Sequence, residues 1–278
     1  MDPLAQLESG PVFVVGAARS GTTWLYDILT CHPLVAGAYE TWLFTDNQGV
    51  GSLLGPAHFP PGHSGLGRTI SRDLVLRAVH DMVSTLLAQP LGENHRFLVE
   101  KSPSHVFSMP LILELLPSAR FVHVLRDGRD VAVSVRAAAK AWAPRWRKSF
   151  GRSIRASASA WKETIRCAWR DGGILGDALL EVRYEALKAD PVSGIARVLD
   201  HCQIPWDQAL VDHIAARTDF DTNFRASESG FRRGGRVGDW RTRLNLIQRV
   251  VFDRVAGGTL IETGYELDRR WVLSPTEK

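Results

Sequence analysis

The chain has 278 residues, 45% of them hydrophobic, and a formal net charge of +4 with both signs of charge spread along it. That suits a globule with a substantial core and fits an anionic ligand without demanding nucleic acid. No apolar run approaches the roughly 18 residues of a membrane span, and the scattered histidines and cysteines offer no metal-ligand spacing, so no metal is expected.

The opening MDPLAQLESGP has no basic or apolar leader segment. No secretory signal is therefore expected, and a cytoplasmic location is, with Cys31, Cys167 and Cys202 as reduced thiols. Val12–Val15 reads as a short buried strand. It runs into the glycine-bracketed loop Gly16-Ala17-Ala18-Arg19-Ser20-Gly21-Thr22-Thr23 and then into a helix over Thr22–Thr30, with Leu25, Ile28 and Leu29 on one face. The glycine spacing is that of a phosphate-cradling loop, but Thr22 stands where a nucleotide kinase places lysine. A helix N-terminus offers unpaired N–H donors and partial positive charge. Arg19 adds a guanidinium fork, and the threonines add hydroxyls.

His32-Pro33 reads as punctuation ending that helix. A second short apolar run leads to Glu40, followed by Trp42 and Phe44. Thr45–Arg68 is rich in glycine and proline and reads as a long surface loop. A helix is expected over Asp73–Ala88, with Ser71 as N-cap. Phe97–Glu100 reads as a strand followed by Lys101, and His105–Leu116 as a helix ended by Pro117. Phe121–Leu125 reads as a strand that turns at Arg126-Asp127-Gly128-Arg129 into a helix over Gly128–Lys140. Arg126 at the strand's carboxyl end, with Ser134 two turns into the helix, forms a second candidate anion site.

Beyond it, Trp142, Trp146 and Phe150 lie in the basic, aromatic stretch AWAPRWRKSF. Further elements are a helix over Ser149–Arg170, a strand over Leu180–Tyr184 and a helix start at Asp190-Pro191. Phe220–Trp240 is irregular and contains FRRGGRVGDWR, whose arginines and glycines suit a loop folding over a phosphate. Strands alternating with helices predict an α/β fold with a central parallel sheet flanked by helices, in a single domain over 1–278. Ligands in such sheets bind beyond the strands' carboxyl ends.

Three of these pieces, GAARSGTTWL, VLRDGRDVAVSV and RRGGRVGDWR, resemble in this order the sulfotransferases that use 3′-phosphoadenosine 5′-phosphosulfate (PAPS). Between them, VRYEALKADP resembles the segment whose tyrosine lies by the adenine in that family. The resemblance spans Val12 to Arg241 and implies a P-loop NTPase-like sulfotransferase fold. It also implies PAPS as donor co-substrate and 3′-phosphoadenosine 5′-phosphate (PAP) as product, and needs no metal. It implies that Arg19, Ser20, Gly21, Thr22 and Thr23 hold the 5′-phosphate and sulfonate, that Arg126 and Ser134 hold the 3′-phosphate, that Trp24 and Tyr184 flank the adenine, and that Arg233 and Gly235 close over the 3′-phosphate. The sequence departs from the cytosolic members at Gly234, where they usually carry lysine, and at Arg19, which is the choice of the tyrosylprotein and carbohydrate members.

Sulfonate transfer needs an in-line nucleophile, a base for its proton and a cation for the leaving oxygen. Glu40 matches the catalytic glutamate of the tyrosylprotein members and is the favoured base. His105 is the alternative, two residues beyond the histidine position of the cytosolic members. The resemblance gives Lys101, with Arg19, the charge-stabilising role. The expected acceptor is a small hydroxylated metabolite or lipid, with a carbohydrate second, and neither a nucleic-acid nor a membrane partner is expected. Two other readings remain. A P-loop kinase must explain the missing lysine, and a nucleotide- or nucleic-acid-binding module must explain the even charge balance.

Overall fold

The computed structural model describes residues 3–5, 7–45, 49–54, 69–219 and 235–273. Five strands, β1 (Val12–Gly16), β2 (Val35–Tyr39), β3 (Phe97–Lys101), β4 (Arg120–Leu125) and β5 (Leu179–Arg183), form one sheet in the order β2-β3-β1-β4-β5. Every pairing is parallel. The helices in chain order are α1 (Thr22–Thr30), α2 (Gly51–Leu54), α3 (Arg72–Leu87), α4 (Met109–Leu115), α5 (Gly128–Ala141), α6 (Ile154–Leu175), α7 (Tyr184–Ala189), α8 (Pro191–His201), α9 (Gln208–Arg217), α10 (Trp240–Arg243) and α11 (Leu246–Glu262).

The apolar run of β1 is explained by burial on both faces. Val12 and Val14 face a core shared with α1, α8 and α9, through Leu25, Ile28, Val198 and Ile214. Phe13 and Val15 face the other side, against Val83 of α3, Ile112 of α4 and Ala168 of α6. A third cluster joins α5, α6 and α11 around Trp161, Ile165, Phe252 and Trp240. Local signals start the helices where the sequence places them. Ser71 accepts from Leu74 N at the start of α3, and Asp190 accepts from Ser193 N at the start of α8.

The structure departs from the sequence expectation in four places. The run Val35–Tyr39 is an edge strand paired with β3, its Gly37 admitting the Tyr26 hydroxyl where a Cβ would collide. The expected helix His105–Leu116 is instead a 3-10 turn, Pro103–Phe107, and then α4. The break falls at Ser108, whose hydroxyl donates to Phe44 O. The expected helix Ser149–Arg170 starts later, at the Ser153 cap, and runs to Leu175. Within Thr45–Arg68, Val50 just before α2 and Leu54 at its end enter the core; residues 46–48 and 55–68 lie outside the described residues, as do 220–234. Among the described residues no helix is long and apolar enough to cross a membrane, and no group of three possible metal ligands occurs.

The carboxyl ends of all five strands lie at one edge of the sheet. Gly16, Tyr39, Lys101, Leu125 and Arg183 are the last residues there, and the segments that follow β1, β2, β3, β4 and β5 build the site.

Candidate active site

A cavity of about 800 Å³ opens at this edge. Its floor is the loop between β1 and α1. Gly16 (φ 151°) and Gly21 (φ 107°) take backbone conformations that side-chain-bearing residues rarely adopt. Gly21 has a second constraint: a Cβ there would stand 2.5 Å from the Tyr184 ring. Gly21 caps α1, so the start of the helix faces the cavity. Arg19 is also left-handed (φ 73°), which sends its side chain toward α5. There its Nε donates to Ser134 Oγ at 3.3 Å, and its guanidinium lies 5.5 Å from the Trp142 ring.

Arg126 follows β4 and is 7% exposed. Its Nη1 donates to Arg19 O at 3.2 Å and its Nη2 to Arg236 O at 2.9 Å, and the guanidinium lies over the Tyr184 ring at 4.2 Å. Among the described residues its direct hydrogen-bond partners are neutral carbonyls and not a carboxylate, an arrangement that favours an anionic ligand. Arg126 Nε and Ser20 Oγ are buried without a hydrogen-bond partner among the described residues. Behind Arg126, Trp161 Nε1 donates to its carbonyl, and the ring packs where a Cβ on Gly128 would stand.

Tyr184 stands edge-on to Trp24, with ring centroids 5.5 Å apart, and donates its hydroxyl to Gly235 O. Trp24 is anchored by its own Nε1–H on Thr218 O. Asp130 of α5 fixes the segment after Gly235 by accepting Gly238 N at 2.7 Å and Trp240 N at 2.9 Å. Burial pushes the Asp130 carboxyl up to about 6, helped by the charge of Asp127, while Arg126 and the two N–H groups pull it back down.

The opposite wall carries Glu40. Its backbone is left-handed (φ 48°), as is that of Trp42 (φ 55°), each conformation costing roughly 1–2 kcal/mol in a residue with a Cβ. Lys101 Nζ lies 2.6 Å from Glu40 Oε1 and 3.6 Å from the centre of the Tyr39 ring, and the side chain is fully buried. Glu40 lines the cavity; Lys101 stands behind it and is not on the wall. Glu100, fully buried, accepts Thr41 N, Thr41 Oγ1 and Ser102 Oγ at one oxygen and faces His105 Nδ1 at the other. Burial alone would raise the Glu100 carboxyl, but the hydrogen bonds from His105, Ser102 and Thr41 hold it below the usual range.

His105 was expected as the alternative base, and the structure puts it elsewhere. It is fully buried against Phe13 and Phe44, outside the cavity wall. Both ring nitrogens are engaged: Nε2 accepts Phe44 N, so Nδ1 carries the proton toward Glu100. Ser20 is buried just under the cavity floor, whereas Arg19, Gly21, Thr22, Thr23, Trp24, Arg126, Ser134, Tyr184 and Gly235 all line the cavity. Arg233 lies outside the described residues.

Sequence reasoning missed Asp130 and Trp161. Asp130 stands in the quoted RDGRD motif, but its partners are 108 and 110 residues away. Trp42, Phe107, Trp142, Trp146 and Phe150 give the rest of the wall an aromatic part, while Phe44 is buried beneath it.

A family model described as the sulfotransferase family matches residues 11–208. A protein-tyrosine sulfotransferase of Drosophila melanogaster is 25% identical over 215 residues, which cover 73% of this chain and 40% of the fly protein. The matched part spans 55% of the Danio rerio protein-tyrosine sulfotransferase 1, so the chain covers about half the length of these two curated relatives. Among solved structures, the sulfotransferase domain of the Synechococcus PCC 7002 olefin synthase aligns with a TM-score of 0.55 at 20% identity, over 91% of this chain and 96% of that one. A mouse sulfotransferase complexed with PAP aligns with a TM-score of 0.54 at 16% identity, over 97% and 91%. These likenesses show the same fold, and the family match runs from the strand before the glycine loop to beyond α8: the chain belongs to the sulfotransferase family.

Proposed function

We propose that this chain transfers a sulfonate group from PAPS to a hydroxyl of a small metabolite or lipid. The observation that carries this reading is Arg126, a buried cation whose hydrogen-bond partners among the described residues are carbonyls, in a cavity whose floor is a second anion cradle. A nucleotide with separate 3′- and 5′-phosphate groups meets both. The glycine cradle fits such a ligand, as do Ser20 Oγ and Arg126 Nε, which have no hydrogen-bond partner among the described residues, and the structurally similar mouse enzyme is complexed with PAP.

PAPS supplies the sulfonate and leaves as PAP. Arg19, Thr22, Thr23 and the start of α1 hold the 5′ end, Arg126 and Ser134 the 3′-phosphate, and Trp24 and Tyr184 the base. Gly235 and, from the sequence, Arg233 complete the cover. Glu40 takes the proton of the acceptor hydroxyl. Lys101 aims the Glu40 carboxylate; once that carboxylate is protonated the ammonium loses its charge partner and is left to offset the charge on the leaving phosphate. The aromatic wall excludes water and grips an apolar acceptor body. The relatives named protein-tyrosine sulfotransferases, together with this aromatic rim, support a second reading, in which the hydroxyl is a tyrosine phenol. Three free cysteines support a cytoplasmic site of action.

Calorimetric titration with PAP, with adenosine 5′-phosphate as control and no magnesium, tests the reading. Tight binding that requires the 3′-phosphate is expected. Equal affinity for the two nucleotides overturns it and makes ATP with magnesium the next ligand.

A further inference from the structure

The turn that carries Glu40 has a conformation its own residues do not favour. Glu40 and Trp42 are both left-handed, with no glycine between them. Something outside the turn must impose that shape. Hydrogen bonds from residues 100–105 supply the constraint. Thr41 N and Thr41 Oγ1 donate to Glu100 Oε1, Trp42 N donates to Ser102 Oγ, and Ser102 Oγ donates in turn to Glu100 Oε1. Phe44 N donates to His105 Nε2, and His105 Nδ1 closes the network on Glu100 Oε2. Three anchor points, at 41, 42 and 44, therefore converge on one carboxylate.

We propose that Glu100 and His105 are positioning residues that hold the Glu40 carboxylate and the Trp42 ring against the cavity. The inference rests on the sulfonate-transfer reading for the purpose of that positioning. Neither residue is exposed, and neither lines the cavity, so neither meets a substrate directly. Core filling does not account for them. Apolar residues would fill the space between Phe13 and Phe44 without burying a carboxylate.

The direction of each bond matters as well. Backbone N–H groups at Thr41 and Phe44 can only donate, so the network needs an acceptor at both ends and one proton on the imidazole between. Replacing Glu100 by glutamine sets an NH₂ group against Thr41 N–H or, with the amide flipped, against His105 Nδ1–H. Moving the imidazole proton relieves the second conflict only by setting Nε2–H against Phe44 N–H. The substitution keeps the side chain's shape and breaks the network at one end or the other.

The test uses the full chain, with E100Q and, as a milder change, S102A, which deletes the acceptor for Trp42 N and one donor to Glu100. Reverse transfer from 4-nitrophenyl sulfate to PAP gives kcat, calorimetry gives PAP affinity, and a crystal structure of each variant gives the backbone at 40–44. Expected are a kcat lower by about tenfold to a hundredfold, PAP affinity within about threefold of wild type, and a rearranged 40–44 turn on an unchanged sheet. Retained kcat with the turn unmoved overturns the proposal. Loss of PAP affinity in step with kcat and melting temperature also overturns it, since that marks a merely structural role. A wild-type protein that fails to bind PAP defeats the sulfonate-transfer reading instead, and the crystal structures still decide whether Glu100 shapes the turn.

Discussion

Lys101 Nζ and Glu40 Oε1 face each other at 2.6 Å, the lysine fully covered and the glutamate side chain 36% exposed on the cavity wall. The asymmetry assigns the two partners different work: only the glutamate can reach an incoming hydroxyl. Glu40→Gln is expected to leave PAP affinity within about threefold of wild type and to cut turnover about a hundredfold or more. Calorimetry and steady-state rates on the same preparation check it, and full turnover in the variant would remove Glu40 as the base.

Arg126→Ala removes a buried cation from above Tyr184 and leaves Arg19 O and Arg236 O without their donor. Affinity for PAP is expected to fall about tenfold to a hundredfold, while that for adenosine 5′-phosphate stays within about twofold. The contrast between the two nucleotides is the measurement. Equal losses would mean that Arg126 shapes the cavity without meeting the 3′-phosphate.

Gly21→Ala combines a disfavoured φ of 107° with a Cβ 2.5 Å from the Tyr184 ring. The ring is locked from the other side by its hydroxyl on Gly235 O, so it cannot swing away freely. A stability loss of about 2 kcal/mol is expected, with PAP binding impaired. Denaturant melts and calorimetry read the two effects.

Asp130 gives a pH signature. Burial, with Asp127 adding to it, raises its folded value from 3.8 to about 6. The folded state therefore binds the proton more tightly than the unfolded one. Its contribution is fully present below about pH 4 and is lost as pH rises through 6. The difference in stability between wild type and Asp130→Asn should shift toward the variant by up to about 3 kcal/mol between pH 4 and pH 7. Parallel melts across that range that stay parallel would show that the carboxyl titrates normally.

Legibility in the sequence followed the range of the forces involved. The bounds of α1, the Ser71 and Asp190 caps and the Arg126 turn depend on neighbours within a few residues, and each could be read directly. Val35–Tyr39 was passed over as a strand because VAGAY carries two alanines and a glycine, and only its pairing with β3 makes it one. Ser108 breaks the expected His105–Leu116 helix through a bond to Phe44 O, 64 residues away. His105 looked like a base because its position near Lys101 is visible along the chain. Its two hydrogen bonds and its aromatic cage are not. The left-handed backbone at Glu40 and Trp42 has no glycine or asparagine to announce it.

The clasp of Asp130 on Gly238 N and Trp240 N bears on how the protein can be cut for expression. The family match stops at residue 208, and a fragment ending there would look complete by homology. It would lose both donors to Asp130, the Trp240 and Trp271 rings that contact the Arg129 guanidinium, and the long packing of α11 along α6. Arg126 would lose its Arg236 carbonyl and Tyr184 its Gly235 carbonyl. The smallest fragment worth producing therefore extends at least through Leu273, and boundaries drawn from the family match alone would strip the third core cluster of its Trp240, Phe252 and Trp271 rings.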